Sequence, residues 1–528
     1  MKLVEKTIKE CFVERAEKTP EKVFIKTKND VYSWKNVDDI TEKLSYALFE
    51  QGIRKNDKVG IYGYNTPSWI ISFIAIQKLG ATAVLINSCY KEKELVKCIK
   101  IADIKYILYT GIGGDEDNIS SVVSKLRKNT DTRNIKTFNI ERTYGEWISF
   151  FERNVSLNHD TMMSKMTTQE NDCQDIACIL FTSGTTNDSK GVMLSHYSLV
   201  NNAREIVGQM RWGEDDIMCL SVPLFHCFGV NVSLLCSILG GMTISLLKKY
   251  KTTNVCRVIQ NDKCTILNGV PSMYLALINN PMMKEFDLSS LKSGIIAGSP
   301  IYEKDYYDIC EKLDGINLQT SYGLTEASPC VSITGYNDSL EQKASSSGKV
   351  IDNVEIRIVD LKSNKECANG EVGEIFVKGY NITKGYLTTE PIVCDAVQKD
   401  GWLKTGDLGY IDGNGYLYIV GRRKNLIIRG GENISPTEIE KVIKEVKNGI
   451  NVRVVGKKSE VLQEEIVACI EGKKDDALVE KIKKYLCENL SKYKIPRYYL
   501  FIDSFPKNQT GKTDERELKK LVEEAELV

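Results

Sequence analysis

From about Lys58 the chain alternates short apolar runs with longer stretches of helical periodicity, and this rhythm restricts the fold more than any other feature. Residues 59–62, 82–86 and 106–109 read as strands, and 67–78 and 91–102 as the helices between them. Strands separated by single helices imply parallel β-α-β units with helices on both faces of a sheet. The pattern resumes with a helix at 196–209, a strand at 217–222, an apolar helix at 230–239 and strands at 243–247, 263–268 and 294–297. Before it, residues 1–30 suggest an amphipathic helix and a short strand at 23–26. The polar stretch 112–170 suggests surface turns and one helix.

At 528 residues the chain exceeds one hydrophobic core, so two to four structural units are expected. The character changes near Ser345, where 353–359 and 373–378 are short, alternating and punctuated by Gly and Asn, as in a small antiparallel β unit. Further on, Ser435-Pro436-Thr437-Glu438 has the form of a capping box, followed by Ile439, Val442, Ile443 and Val446 at helical spacing. The expected class is therefore α/β. A large N-terminal domain (1–423) of doubly wound mixed or parallel sheets plus a small β unit is hinged, at Gly421-Arg422-Arg423-Lys424, to a small α+β domain (424–528).

The 71 basic residues balance the 71 acidic ones, so nothing in the net charge favours capture of nucleic acid or of an acidic membrane. Sixteen cysteines lie scattered without a C-x-x-C pair, the usage of reduced thiols rather than of a disulfide or zinc framework. The first residues carry frequent charges and no apolar core of a secretory signal, and no apolar run is long enough to span a bilayer. A cytoplasmic location is the expectation.

The apolar run 176–181 leads into TSGTTNDSKGV (182–192), rich in Gly, Ser and Thr and holding one lysine. A strand entering such a loop brings backbone N–H groups, hydroxyls and a positive charge close to phosphate. It is not a Walker A loop, because no glycine immediately precedes Lys190 and Gly191 stands where Ser or Thr is required. Ligands in parallel sheets bind at the carboxyl ends of strands, and this loop is at one such end.

Four further motifs follow in order: YGLTE (322–326), TGD (405–407), GRRKNLIIRGGENISP (421–436) and PKNQTGK (506–512). Together with the first, they resemble the adenylate-forming enzymes: acyl-CoA synthetases, luciferases and the adenylation domains of peptide synthetases. The runs IIAGSP (295–300) and QTSYGLTEASP (319–329) look most like those of medium-chain acyl-CoA synthetases. Amino-acid-activating relatives usually hold an aspartate after the strand ending near Val222. PLFHCFGVNVS (223–233) contains no acidic residue, which argues against an α-amino acid substrate.

The resemblance implies two steps: a carboxylate attacks the α-phosphorus of ATP, and the thiol of coenzyme A then displaces AMP from the acyl-adenylate. It implies that Thr182, Ser183, Gly184, Thr185, Thr186 and Lys190 embrace the β- and γ-phosphates. The family's usual Gly-x-Pro before the lysine is here Asn187-Asp188-Ser189. By the same resemblance Tyr322 stacks on adenine, Gly323 admits a close backbone approach, Thr325 bonds the α-phosphate and Glu326 holds Mg²⁺. Asp407 would accept from the ribose hydroxyls, and Arg422 would contact ribose or phosphate. Lys512 would bridge the attacking carboxylate and the α-phosphate. His226 would face the acyl carboxylate, and Gly430 and Gly431 would let the pantetheine arm pass. Arg423 reads as plain surface, and His196 as a helix-start residue.

The leading expectation is an ATP-dependent acyl-CoA ligase for a fatty or related aliphatic acid. Transfer to the phosphopantetheine of a carrier protein is the near alternative. A non-catalytic nucleotide-binding protein and luciferase-like oxidation stay open on motifs alone.

Overall fold

The computed structural model describes residues 1–111, 118–154, 171–182, 190–388, 396–429, 432–447, 449–459, 461–507 and 512–525. Ser183, Gly184, Thr185, Thr186, Gly430 and Gly431 lie outside them. The expected strands and helices of the alternating region are found almost residue for residue. They include Lys58–Tyr62, Pro67–Leu79, Thr82–Ile86, Glu92–Ala102 and Tyr106–Tyr109. The helix Pro67–Leu79 is buried along nearly its whole length. Its local signals agree: the Thr66 side chain caps the amide of Trp69, Pro67 occupies the first turn, and Gly80 closes the end in the left-handed region.

Among the described residues these strands build two large mixed sheets. In the first, Lys136–Asn139, Tyr106–Tyr109, Lys58–Tyr62, Thr82–Ile86 and Ile176–Thr182 run parallel; Lys190–Ser195 and Tyr386–Leu387 then pair antiparallel at one side. In the second, Val23–Lys26, Thr243–Leu246, Ile217–Leu220, Ile266–Leu267, Ser293–Ala297 and Asn317–Gly323 are parallel, with antiparallel strands at both edges. Trp34, Trp69, Phe12, Phe24 and Phe73 are fully buried in the core that both sheets share. Each such side chain contributes roughly 1.5–3 kcal/mol of burial.

Several expectations need correction. The stretch 112–170 holds a strand, Lys136–Asn139, and two helices, Asn118–Leu126 and Tyr144–Asn154, which bury Val122, Leu126, Trp147 and Phe151. Its polar average concealed these apolar faces. The helix expected at 230–239 begins at Phe228 as a π-helical segment to Leu235, continuing as Cys236–Gly240. The strand expected at 263–268 is reduced to Ile266–Leu267. Between the polar loop and the helix His196–Met210 an unforeseen strand intervenes, Lys190–Ser195, pairing Lys190 with Thr182. Thr182 and Lys190 thus face each other across an antiparallel pair.

The small β unit is a four-stranded antiparallel sheet of Val354–Val359, Gly373–Gly379, Leu403–Ile411 and Leu417–Arg422. Beyond it lies the α+β C-terminal unit, where Ile439 and Ile443 pack with Ile427, Val454 and Ile466. The helix Pro436–Val446 is where expected, but the capping box is not made. Ser435 Oγ donates to the carbonyl of Val420 at 2.9 Å, and Lys494 engages the Glu438 carboxylate at 2.6 Å. Ser435 thereby ties this helix to the strand that ends the N-terminal domain.

Candidate active site

The parallel strands of the second sheet point their carboxyl ends to the same side, with Ser293–Ala297 and Asn317–Gly323 in register up to the pair Ala297 and Ser321. From these ends come His226, Gly298, Tyr322, Thr325 and Glu326. The turn bearing Thr325 and Glu326 is held from beneath by buried amides. Asn202 pairs with both backbone groups of Cys330, at 3.1 Å to its amide and 2.9 Å to its carbonyl. Asn381 donates to the same carbonyl at 3.2 Å, Ser328 Oγ donates to the carbonyl of Asn381 at 2.8 Å, and Asn231 donates to that of Ser328. These bonds fix the geometry of the turn they support, while Asn231 Oδ1 and Asn381 Oδ1 are buried without a partner.

Asp407 lies at the base of the site, almost fully buried. Tyr322 Oη donates to its Oδ2 at 2.8 Å, and Arg422 Nε pairs with its Oδ1 at 2.7 Å. Antiparallel pairing places Asp407 directly across from Arg422. Burial pushes the carboxyl upward against the pull of Arg422 and the Tyr322 hydroxyl. An ionised carboxylate accepts about four hydrogen bonds, so room is left for a diol. At Gly323 a Cβ would run into the carbonyl of Pro329, so its backbone packs closely on the protein itself.

Glu326 Oε1 accepts from the hydroxyl of Tyr386 at 2.9 Å, and Lys190 Nζ stands 5.3 Å from the centre of the same ring. The polar loop's lysine and the YGLTE glutamate therefore converge on one tyrosine. As a single carboxylate, Glu326 suits Mg²⁺, which takes one or two protein oxygens and fills its octahedron with phosphate and water. Among the described residues no cluster of three or more acidic, Cys or His side chains stands ready to hold a metal.

His226 receives the amide of Phe228 on Nδ1 at 3.2 Å, which leaves its proton on Nε2. Burial, and then the charge of Lys512, pushes the ring down to about 4, so it is neutral at pH 7. Cys227 Sγ lies 3.6 Å from both His226 Nδ1 and Thr325 Oγ1, with its thiol pushed up to about 11 by burial. Lys512 enters from the C-terminal unit, beside a bridge between Lys507 and Thr513, and its ammonium donates to the carbonyl of Gly298. Its pKa is lowered, chiefly by burial and further by Arg422, while Cys227 opposes the shift.

Lys190, His226, Tyr322, Thr325, Glu326, Asp407, Arg422 and Lys512 are thus brought to one region, together with Thr182, the strand partner of Lys190. Arg423 is more than surface, since it neutralises the buried Glu374 at 2.8 Å. His196 does open a helix, fully buried, and accepts the amide of Ile8. Sequence reasoning missed Cys227, Tyr386 and the role of Gly298. Nothing in the spacing links Tyr386 in TKGYL to Glu326, and Cys227 reads as one more apolar residue.

The comparisons with known proteins agree. A model of AMP-binding enzymes matches residues 12–387, and one of their C-terminal domain matches 438–512. The mitochondrial medium-chain acyl-CoA ligase ACSF2 of Bos taurus is 30% identical, over 99% of this chain and 88% of its own. The acyl-CoA ligase sidI of Aspergillus fumigatus is 31% identical over 93% of this chain and 86% of its own. ATP-bound MatB from Rhodopseudomonas palustris has the same fold, with TM-score 0.84, 24% identity, and coverage of 98% of this chain and 99% of its own. The o-succinylbenzoate-CoA synthetase MenE of Bacillus subtilis, in complex with its acyl-adenylate, superposes with TM-score 0.80 at 25% identity, covering 99% of both chains. With these matches over nearly its whole length, the chain belongs to the AMP-binding, adenylate-forming enzyme family, among its acyl-CoA synthetases.

Proposed function

We propose that this protein is an AMP-forming acyl-CoA ligase that activates a medium-chain aliphatic carboxylic acid with ATP and passes the acyl group to the thiol of coenzyme A. One observation carries the reading: Lys512, nearly three hundred residues from His226 in sequence, has its ammonium on the carbonyl of Gly298, within electrostatic reach of His226 and Cys227. Joining a carboxylate to a polyphosphate brings two anions together, and a positioned cation in a site poor in water lowers that barrier.

In this reading Thr182, Ser183, Gly184, Thr185, Thr186 and Lys190 take the outer phosphates, and Thr325 takes the α-phosphate. Tyr322 stacks on adenine, while Asp407 and Arg422 hold the ribose. Mg²⁺ bound by Glu326 would neutralise phosphate charge. His226 presents Nε2–H to one oxygen of the acid, and Lys512 spans the other oxygen and the α-phosphate. The absence of any acidic side chain in 223–233 suits an acyl chain without an α-amine. The segment holding Gly430 and Gly431 would line the passage of pantetheine in the second step. The medium-chain preference rests on the motif likeness and on the activity named for the bovine relative.

The test is ATP–pyrophosphate exchange measured with acids from acetate to palmitate, with benzoates and with bile acids. Acyl-adenylate consumption is then compared with coenzyme A and with holo-carrier proteins. The strongest exchange is expected with medium-chain acids and the faster consumption with coenzyme A. No exchange with any acid overturns the reading.

A further inference from the structure

The C-terminal unit makes a second contact with the N-terminal domain, away from the reacting groups. Lys444 Nζ stands 3.3 Å from the centre of the Tyr302 ring. One turn earlier on the same helix, Lys441 pairs with Glu303 at 3.1 Å. Tyr302 Oη makes a long contact of 3.5 Å with Glu440 Oε2, whose other oxygen accepts the amide of Val454 at 2.8 Å. Glu303 and Asp305 form the acidic first turn of the helix Glu303–Lys312, and Asp305 adds electrostatic support to Lys444. An acidic helix start thus meets a basic face of the helix Pro436–Val446.

Two further facts give this contact a consequence. Tyr302 belongs to the short connection that begins at Gly298, whose carbonyl receives Lys512. The helix bearing Lys444 is bolted to the C-terminal sheet through Ile439 and Ile443, and Phe505, just before the Lys512 loop, is buried against Val467 and Cys469 of that sheet. Both ends of one loop-to-sheet arrangement are therefore gripped. We propose that Tyr302 and Lys444, supported by Glu303 and Lys441, are positioning residues that dock the C-terminal unit and so set Lys512 over Gly298.

The proposal rests on the ligase reading and concerns only the adenylating step. In the ligase reading Lys512 serves the adenylating step alone, so loss of the dock is expected to separate the two half-reactions. Loss of the cation–ring contact in K444A is expected to slow carboxylate-dependent pyrophosphate exchange about tenfold. Thioester formation from supplied acyl-adenylate stays at the wild-type rate, and K444R, which keeps a cation over the ring, recovers most of the exchange. E303K lowers exchange as well, and E303K/K441E restores it by reversing the pair. Independently of any activity, backbone hydrogen exchange across 298–312 and 436–446 should rise in K444A. Unchanged pyrophosphate exchange in K444A, an equal fall in both half-reactions, or unchanged hydrogen exchange each overturns the dock. A wild-type chain inert towards every acid sinks the ligase reading instead, and leaves the dock to be judged by hydrogen exchange.

Discussion

The hydroxyl of Tyr322 donates to Oδ2 of Asp407 at 2.8 Å, joining the end of a parallel strand in one sheet to the middle of a strand in another. Arg422 holds the other oxygen, so the carboxylate is oriented by the protein's own groups. Preorganisation of this kind reduces the ordering cost of binding.

Replacing Tyr322 by Phe keeps the aromatic ring, proposed to stack on adenine, and removes one donor from a buried carboxylate. Leaving such an acceptor short of a partner costs about 1–3 kcal/mol. The expected result is an ATP KM raised about tenfold with a smaller change in kcat, read from steady-state pyrophosphate release. An unchanged KM would show that the Tyr322 hydroxyl has no part in holding Asp407 for ribose.

In the proposed reaction Lys512 is the cation that faces the reacting oxygens, and Lys512→Ala removes it. Adenylation should fall by about three orders of magnitude. Conversion of supplied acyl-adenylate to thioester should persist. Single-turnover measurement of each half-reaction decides, and an equal loss in both counts against this assignment.

Gly298 has φ +87°, and a Cβ there would lie 3.5 Å from Lys512 Nζ. Gly298→Ala therefore combines about 1–2 kcal/mol of left-handed strain in the peptide that receives the ammonium with a tight 3.3 Å contact to Val270 Cγ1. Adenylation is expected to fall more than acyl transfer, with a modest loss of thermal stability. Wild-type rates in both steps would refute the placement of Lys512 at this carbonyl.

Burial pushes His196 down to about 4 from an ordinary value of 6.5. Between these values the unfolded chain binds more protons than the folded one, so stability rises with pH across the window and is lost as pH falls from 6.5 towards 4. For this residue the effect is about 3 kcal/mol. Urea denaturation at pH 7, 5.5 and 4.5 should show the decline, and His196→Gln, which can still accept the Ile8 amide and does not titrate, should flatten it. An unaltered slope in the variant would assign the acid sensitivity elsewhere.

Much of the scaffold was legible because local rules and global packing agree. The strands Thr82–Ile86 and Tyr106–Tyr109 announce themselves by apolar runs, and Pro67–Leu79 by its proline start and glycine stop. The candidate site residues stand out in the sequence as residue types in ordered motifs. What the one-dimensional pattern leaves open is which of them meet. The Ser435 hydroxyl had a local choice, the amides of its own helix, and took the carbonyl of Val420 because the junction brings that strand close. Tyr386 joins Glu326, and Lys444 joins Tyr302, through sheets whose strand order is not their chain order. Periodicity and motif belong to neighbours along the chain, whereas the seat of Lys512 and the dock that holds it depend on long-range packing between two cores, and only the tertiary structure decides that.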